Sequence, residues 1–121
     1  MRCFLLSCLL AICVNSFAQP AIRFQKNKIK SQEVKAGKTL SFDFFFKNSG
    51  DQPLSIKNIE VSCSCTTFKF PTNPVLPGQQ DVIHVTFDTS NKIGWQYRSL
   101  IVHSNAKSSP DKIQFVVKVI P

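Results

Sequence analysis

From Pro20 to the end of the chain, short apolar runs separated by turn residues recur about every 8 to 15 positions, without a convincing helical period. The run Thr39 to Phe46 places Leu40, Phe42, Phe44 and Phe46 on one side of an extended strand. Ser41, Asp43 and Lys47 fall on the other side, which is the alternation of a half-buried strand. Asn48-Ser49-Gly50-Asp51 has turn chemistry, and Gln52-Pro53 leads into a strand from Leu54 to Val61. Within that strand the parity slips. Leu54 and Ile56 share one phase, while Ile59, Val61, Cys63 and Cys65 share the other, so one extra residue near Lys57-Asn58, a β-bulge, is needed to keep a single buried face.

Further strands are predicted at Ile22 to Ile29, Thr66 to Phe70, Gln80 to Asp88, Gln96 to Val102 and Ile113 to Val119. Pro71 to Gly78 carries three prolines and a closing Pro-Gly, so it is read as a loop. The sum is an all-β chain, with about seven short antiparallel strands in roughly 100 residues, the dimensions of an immunoglobulin-like sandwich. The inter-sheet cysteine pair of antibody domains is missing, because Cys63 and Cys65 are near neighbours. Phenylalanine is expected to supply the core instead.

The start of the chain changes the picture. In MRCFLLSCLLAICVNSFAQP, Arg2 precedes an uncharged apolar run from Cys3 to Val14, and Ser16-Phe17-Ala18 offers small residues where a signal peptidase reads. This is the layout of a signal peptide over residues 1–18, and the apolar run is too short for a permanent membrane span. Bulky Ile12 before Cys13 argues against a lipoprotein signal, so soluble export to the periplasm or medium is favoured over a lipid anchor. Residues 19–121 are then expected to form one immunoglobulin-like domain. Loss of Arg2 lowers the net charge from +8 to +7. Nucleic acid is excluded as a partner, since export removes the protein from it and no recognition motif is present.

Export leaves Cys63 and Cys65 as the remaining cysteines, in an oxidising compartment. If both continue an extended strand, their Cα atoms stand ~6.6 Å apart with both side chains on one face. A disulfide requires closer Cβ atoms than that, hence a bulge or turn at Ser62-Ser64, and the ring would be small, strained and readily reduced. Two thiolates on one face could instead grip a soft ion such as Cu(I). Supporting ligands are poor, because residues 19–121 hold no methionine and His84 has the parity opposite to Ile83, Val85 and Phe87. The facing of His103 is not set by the sequence. A structural role, as packed residues or as a local staple, is favoured over metal binding, and metal binding over thiol redox chemistry.

The pattern also resembles a known family. Phe42 to Phe46, Asn48-Ser49-Gly50, Pro53-Leu54-Ser55-Ile56, Ser62-Cys63-Ser64-Cys65-Thr66, Pro77-Gly78, Val85-Thr86-Phe87-Asp88, Gly94-Trp95 and Val102-His103-Ser104-Asn105 follow one another in a fairly specific order. In this the chain resembles the exported bacterial family called domain of unknown function 1573, of Bacteroidetes-type secretomes, over about residues 38–121. The resemblance implies an immunoglobulin-like fold, similar to major-sperm-protein and pilus-chaperone domains, with no known activity. Ser64 stands where the family has glycine, which makes a turn with positive φ less available.

Two surface features remain. Arg23, Lys26, Lys28, Lys30, Lys35 and Lys38 crowd the first strands, either to meet an anionic partner or to protect an exposed sheet edge from aggregation; the second reading is favoured. Trp95, Tyr97 and Arg98 gather residue types enriched where partners bind, and the alternative that Trp95 caps the sandwich at a strand start is slightly favoured. No catalytic constellation and no cofactor motif is present. The expectation is a secreted, non-catalytic binding or structural module of the bacterial cell envelope, engaging a protein or glycan. Its rival is a periplasmic copper or thiol-redox protein using Cys63 and Cys65.

Overall fold

The computed structural model describes residues 18–121; the predicted leader, apart from Ala18, lies outside the described residues. Nine strands follow in order: β1 Ile22–Phe24, β2 Lys28–Lys30, β3 Val34–Lys35, β4 Thr39–Asn48, β5 Ile56–Val61, β6 Thr66–Lys69, β7 Gln80–Asp88, β8 Gly94–Ser104 and β9 Asp111–Ile120. They form two sheets packed as a sandwich. The first has the order β1-β4-β7-β6, the second β2-β9-β8-β5, with β3 also pairing β9.

The alternation read from the sequence is what closes the two sheets on each other. Phe42, Phe44 and Phe46 of β4 and Ile83, Val85 and Phe87 of β7 face inward from the first sheet, against Leu100, Val102, Ile113, Phe115, Val117 and Val119 of the second. Phe115 spans the gap, stacked 4.5 Å from Phe42 and tilted 5.2 Å from Phe87, centroid to centroid. Full burial of each such ring contributes about 1.5–3 kcal/mol. Phenylalanine supplies only part of the core, however. Five rings are buried, Phe24, Phe68 and Phe70 are half-covered, Phe45 points outward, and aliphatic residues, mostly valine and isoleucine, fill the rest.

The bulge lies where the parity slip places it. The β5–β8 register shifts between Ile56 and Asn58, and Ile56 and Ile59 both stay buried. The single first strand expected over 22–29 is a different matter. It breaks at Gln25-Lys26-Asn27, and its halves join opposite sheets. Arg23 pairs antiparallel with Lys47 of β4, whereas Ile29 pairs parallel with Phe115 of β9. The backbone makes the transfer in three residues, with Gln25 N donating to Phe45 O at 2.9 Å and Gln114 N donating to Asn27 O at 2.8 Å. The first sheet is antiparallel throughout, as expected, but the second is mixed, because β2 and β3 both run parallel to β9. Pro71 to Gly78 is a loop as expected, pinned by Val75, which exchanges two backbone hydrogen bonds with Leu54 at 2.9 and 2.8 Å.

Candidate functional site

The two cysteines do not continue β5. After Val61 the chain leaves the second sheet and turns, with Thr66 N donating to Cys63 O at 3.1 Å, before entering the first sheet as β6. The turn draws the Cα atoms of Cys63 and Cys65 to 5.2 Å, and a disulfide joins their sulfurs. That separation lies within the usual span for a disulfide, whereas an extended strand would exceed what the Cβ atoms allow. Ser64 is compatible with this turn, since Asn91 is the single non-glycine with positive φ among the described residues. Because β5 and β6 are the edge strands on one side of the sandwich, the disulfide sits where the two sheets are joined along that side. Cys65 packs against the core, and Asp88 N donates to its carbonyl at 2.9 Å.

Neither histidine approaches the sulfurs through the ladders. His84 lies on the outside of β7 and pairs with Asp43 at 2.6 Å. His103 lies on the outside of β8, with Nε2 3.3 Å from Glu60 Oε2 but not aligned for a hydrogen bond. No group of three or more His, Cys, Asp or Glu positioned to hold a metal occurs among the described residues. No helix among them is long and apolar enough to cross a membrane.

The remaining motif residues meet in pairs at the corners of the sandwich. Asn48 is fully buried; its side-chain amide donates to Gln52 O at 2.7 Å and Val75 O at 2.9 Å, and its Oδ1 accepts from Gly50 N at 2.9 Å. Its carbonyl accepts from Gly78 N at 2.8 Å, tying the Asn-Ser-Gly turn to the Pro-Gly turn. Gly50 is required by close approach, since a Cβ there would stand 2.3 Å from Gln19 O. Asn105 likewise accepts from Ser55 N at 2.8 Å and donates to Pro53 O at 3.1 Å, joining the end of β8 to the Pro-Leu-Ser-Ile segment. Sequence reading took Asn48 and Asn105 for turn and strand-end residues and missed these clamps; an Asn at each end of a buried stretch was the available signal.

Trp95 and Tyr97 are brought together, and Arg98 is not. Gly94, at φ +84°, turns the chain into β8, and strand alternation then sends Trp95 and Tyr97 to the outer face of the second sheet. Their ring centroids are 6.3 Å apart, and the side chains are 48% and 68% exposed. Arg98 points to the other side, with its guanidinium 5.6 Å from the Phe87 ring centroid and hydrogen-bonded to Gln96 Oε1 at 2.7 Å. In its place the aromatic pair has lysines. Lys30 Nζ and Lys118 Nζ stand 5.3 and 5.9 Å from the Trp95 centroid. Of the basic residues at the start of the fold, Lys28 and Lys30 share this face on edge strand β2, Lys26 lies in the break, and Arg23 belongs to the first sheet.

A family model covers nearly all of this architecture. Residues 22–119 match the family described as protein of unknown function, DUF1573. The chain belongs to that family. No match was found among curated proteins. Among solved structures, the chain is similar to a protein of unknown function from Porphyromonas gingivalis W83, with TM-score 0.73, 13% identity and coverage of 89% of this chain and 51% of that one. It is also similar to the ASH/PapD-like domain 7 of human CEP192, at TM-score 0.67 and 10% identity, covering 84% and 87%. A third likeness is to the CsuC–CsuE chaperone–tip adhesion subunit complex of Acinetobacter baumannii Csu pili, at TM-score 0.59 and 15% identity, covering 84% and 57%. The chain thus spans about half the length of the first and third of these. At such identities the likeness is one of fold, to PapD-like and chaperone-type domains.

Proposed function

We propose that the chain is an exported, non-catalytic immunoglobulin-like module of the cell envelope that acts by binding a protein or glycan. The observation that carries this reading is where the motif residues spend their polar groups. Asn48, Gly50, Gly78, Asn105 and the Cys63–Cys65 turn all serve the corners of the sandwich, so the residues that make the chain recognisable are used in holding it together. Among the large apolar side chains left exposed, Trp95 and Tyr97 form a ring pair on a sheet face. That division suits a scaffold presenting a surface.

A disulfide-bonded pair offers no thiolate, so the copper reading belongs to the reduced chain, and a redox role would begin with a partner's thiolate attacking the disulfide. The test pairs two experiments. Tagged protein cross-linked on the envelope of the native cells is expected to recover a stoichiometric partner. Disulfide-reductase and scrambled-substrate assays are expected to show no turnover. Turnover lost on combined Cys63→Ser and Cys65→Ser substitution would replace the binding module with a thiol enzyme.

A further inference from the structure

We propose that the outer face of the second sheet binds an acidic polysaccharide, with sugar rings lying on Trp95 and Tyr97 and acidic groups pairing with Lys28 and Lys30. The proposal rests on the binding-module reading above and supplies the chemistry of the partner.

The strand registers place the relevant groups side by side. Tyr97 is opposite Val116, which is opposite Lys30, and Trp95 is opposite Lys118. Gln114, on the same side of β9 as Val116, is opposite Lys28. Val116 belongs to the outward set by this alternation and is nonetheless 4% exposed, so the surrounding side chains cover it and form a continuous surface. Lys112 adds a further ammonium beside Ile101. Lys118 is paired with Glu33 at 3.4 Å, but among the described residues Lys28, Lys30 and Lys112 have no carboxylate within ion-pair distance. Charge complementarity therefore calls for an anion.

The closeness of charge to ring decides which anion. Lys30 Nζ and Lys118 Nζ stand over the Trp95 ring, 5.3 and 5.9 Å from its centre, so cation and aromatic surface meet a ligand together. In an acidic sugar the carboxylate or sulfate is attached at the ring itself, so ring contact and charge pairing occur at one height. An acidic peptide would gain from backbone pairing, but β8 and β9 lie within the sheet with their ladders filled, so at Trp95 and Tyr97 side chains alone meet a ligand and backbone pairing is left to the edge strand β2. Two rings at alternate residues of one strand, 6.3 Å apart, suit a polymer of rings.

Trp95 is the one tryptophan in the chain, so its emission reports directly on this face. The protein, purified as the native cell releases it, is titrated with polygalacturonate, chondroitin sulfate, neutral dextran, polyglutamate and phosphatidylglycerol vesicles. Saturable change with polygalacturonate or chondroitin sulfate, weakened by salt and absent with dextran, is expected. By calorimetry, Trp95→Ala, Tyr97→Ala and the Lys28→Glu/Lys30→Glu double variant should each weaken binding about tenfold or more. Lys69→Glu, on the outer face of the first sheet, should change it less than about twofold. Retained thermal unfolding shows that each variant is folded. Failure of both acidic polysaccharides, tighter binding to vesicles or polyglutamate, or binding indifferent to Trp95→Ala and Tyr97→Ala overturns the proposal. An envelope partner held through another face would overturn this inference alone, whereas reductase turnover would sink the binding-module reading.

Discussion

On the outside of the first sheet, polar residues pair with one another. Asp43 holds His84 at 2.6 Å across β4 and β7, and the Thr67 and Thr86 hydroxyls meet across β6 and β7. On the outside of the second sheet such pairing is sparser, with His103 facing Glu60 at one end and Lys118 standing 3.4 Å from Glu33. Its other end shows Trp95, Tyr97, Lys28 and Lys30, with lysine set against aromatic. The inner faces of the two sheets are equivalent in kind, both alternating and both closed by Phe115. The difference between the outer faces is therefore not demanded by the fold. Inward positions must satisfy packing, but outward positions are free to carry chemistry, and the second sheet uses that freedom for a tryptophan–tyrosine pair beside lysines, where the first shows a single exposed ring, Phe45.

The strongest way to break the comparison is to remove what both faces share. Phe115→Ala should lower stability by about 3–5 kcal/mol, since the ring contacts both sheets and the cavity cannot close from either side. Denaturant unfolding checks this, and Trp95 emission should change in the same transition as far-ultraviolet circular dichroism. Separate transitions would show that the second sheet is an independent unit. Asn48→Ala comes next, at about 2–3 kcal/mol, because it leaves the Gln52 and Val75 carbonyls and the Gly50 amide without that partner. A loss below about 0.5 kcal/mol, within the range of ordinary surface changes, would mean the corner is held by backbone bonds alone.

These clamps also mark the limit of what the sequence discloses. The alternation in β4 and β7 and the parity slip in β5 are local patterns, so strand faces and the bulge could be read directly. The break at Gln25-Lys26-Asn27 could not. Ile22 and Phe24 share one parity and Ile29 has the other, a slip that a bulge would equally explain, and only the competition between β4 and β9 for pairing partners turns it into a break. The stripe Ile59, Val61, Cys63, Cys65 misled in the same way, because parity persists on paper through a turn that leads into the other sheet. Trp95 and Tyr97 were legible as partner-binding residue types, though the sequence reading starts the strand at Gln96 and groups Arg98 with them. Lys30 and Lys118 beside the two rings were not legible, since their approach depends on which strands are adjacent.

A smaller effect probes the side where the sheets are joined. Replacing both Cys63 and Cys65 by serine should cost about 1–2 kcal/mol, the modest amount expected when a disulfide closes so short a loop. Far-ultraviolet circular dichroism should be unchanged and acidic-polysaccharide binding retained, because β5 lies at the edge of the second sheet away from β2. Binding lost together with the disulfide would show that the two regions are coupled. Trp95→Ala should cost no more than about 1 kcal/mol, the usual contribution of an exposed cation–π contact. A larger loss of stability would make Trp95 a structural cap and not a binding residue.

The smallest effect separates the faces by acid. Asp88 ends β7 in the first sheet, where its Oδ1 accepts a hydrogen bond from Ser90 N at 2.9 Å. That backbone bond chiefly, then the Ser90 side chain and the charge of Lys92, holds its carboxyl below the ordinary aspartate value, against a smaller opposing effect of desolvation. A carboxyl depressed in the folded state contributes stability at pH values above its unfolded pKa, and loses that contribution as pH falls through the folded one. Stability should therefore drop slightly more in wild type than in Asp88→Asn on going below about pH 4. A carboxyl-detected titration by nuclear magnetic resonance should show Asp88 changing protonation below the value of free aspartate. An Asp88 titrating at or above that value, or equal acid sensitivity in wild type and Asp88→Asn, would remove the Ser90 turn as a source of acid-dependent stability in the first sheet.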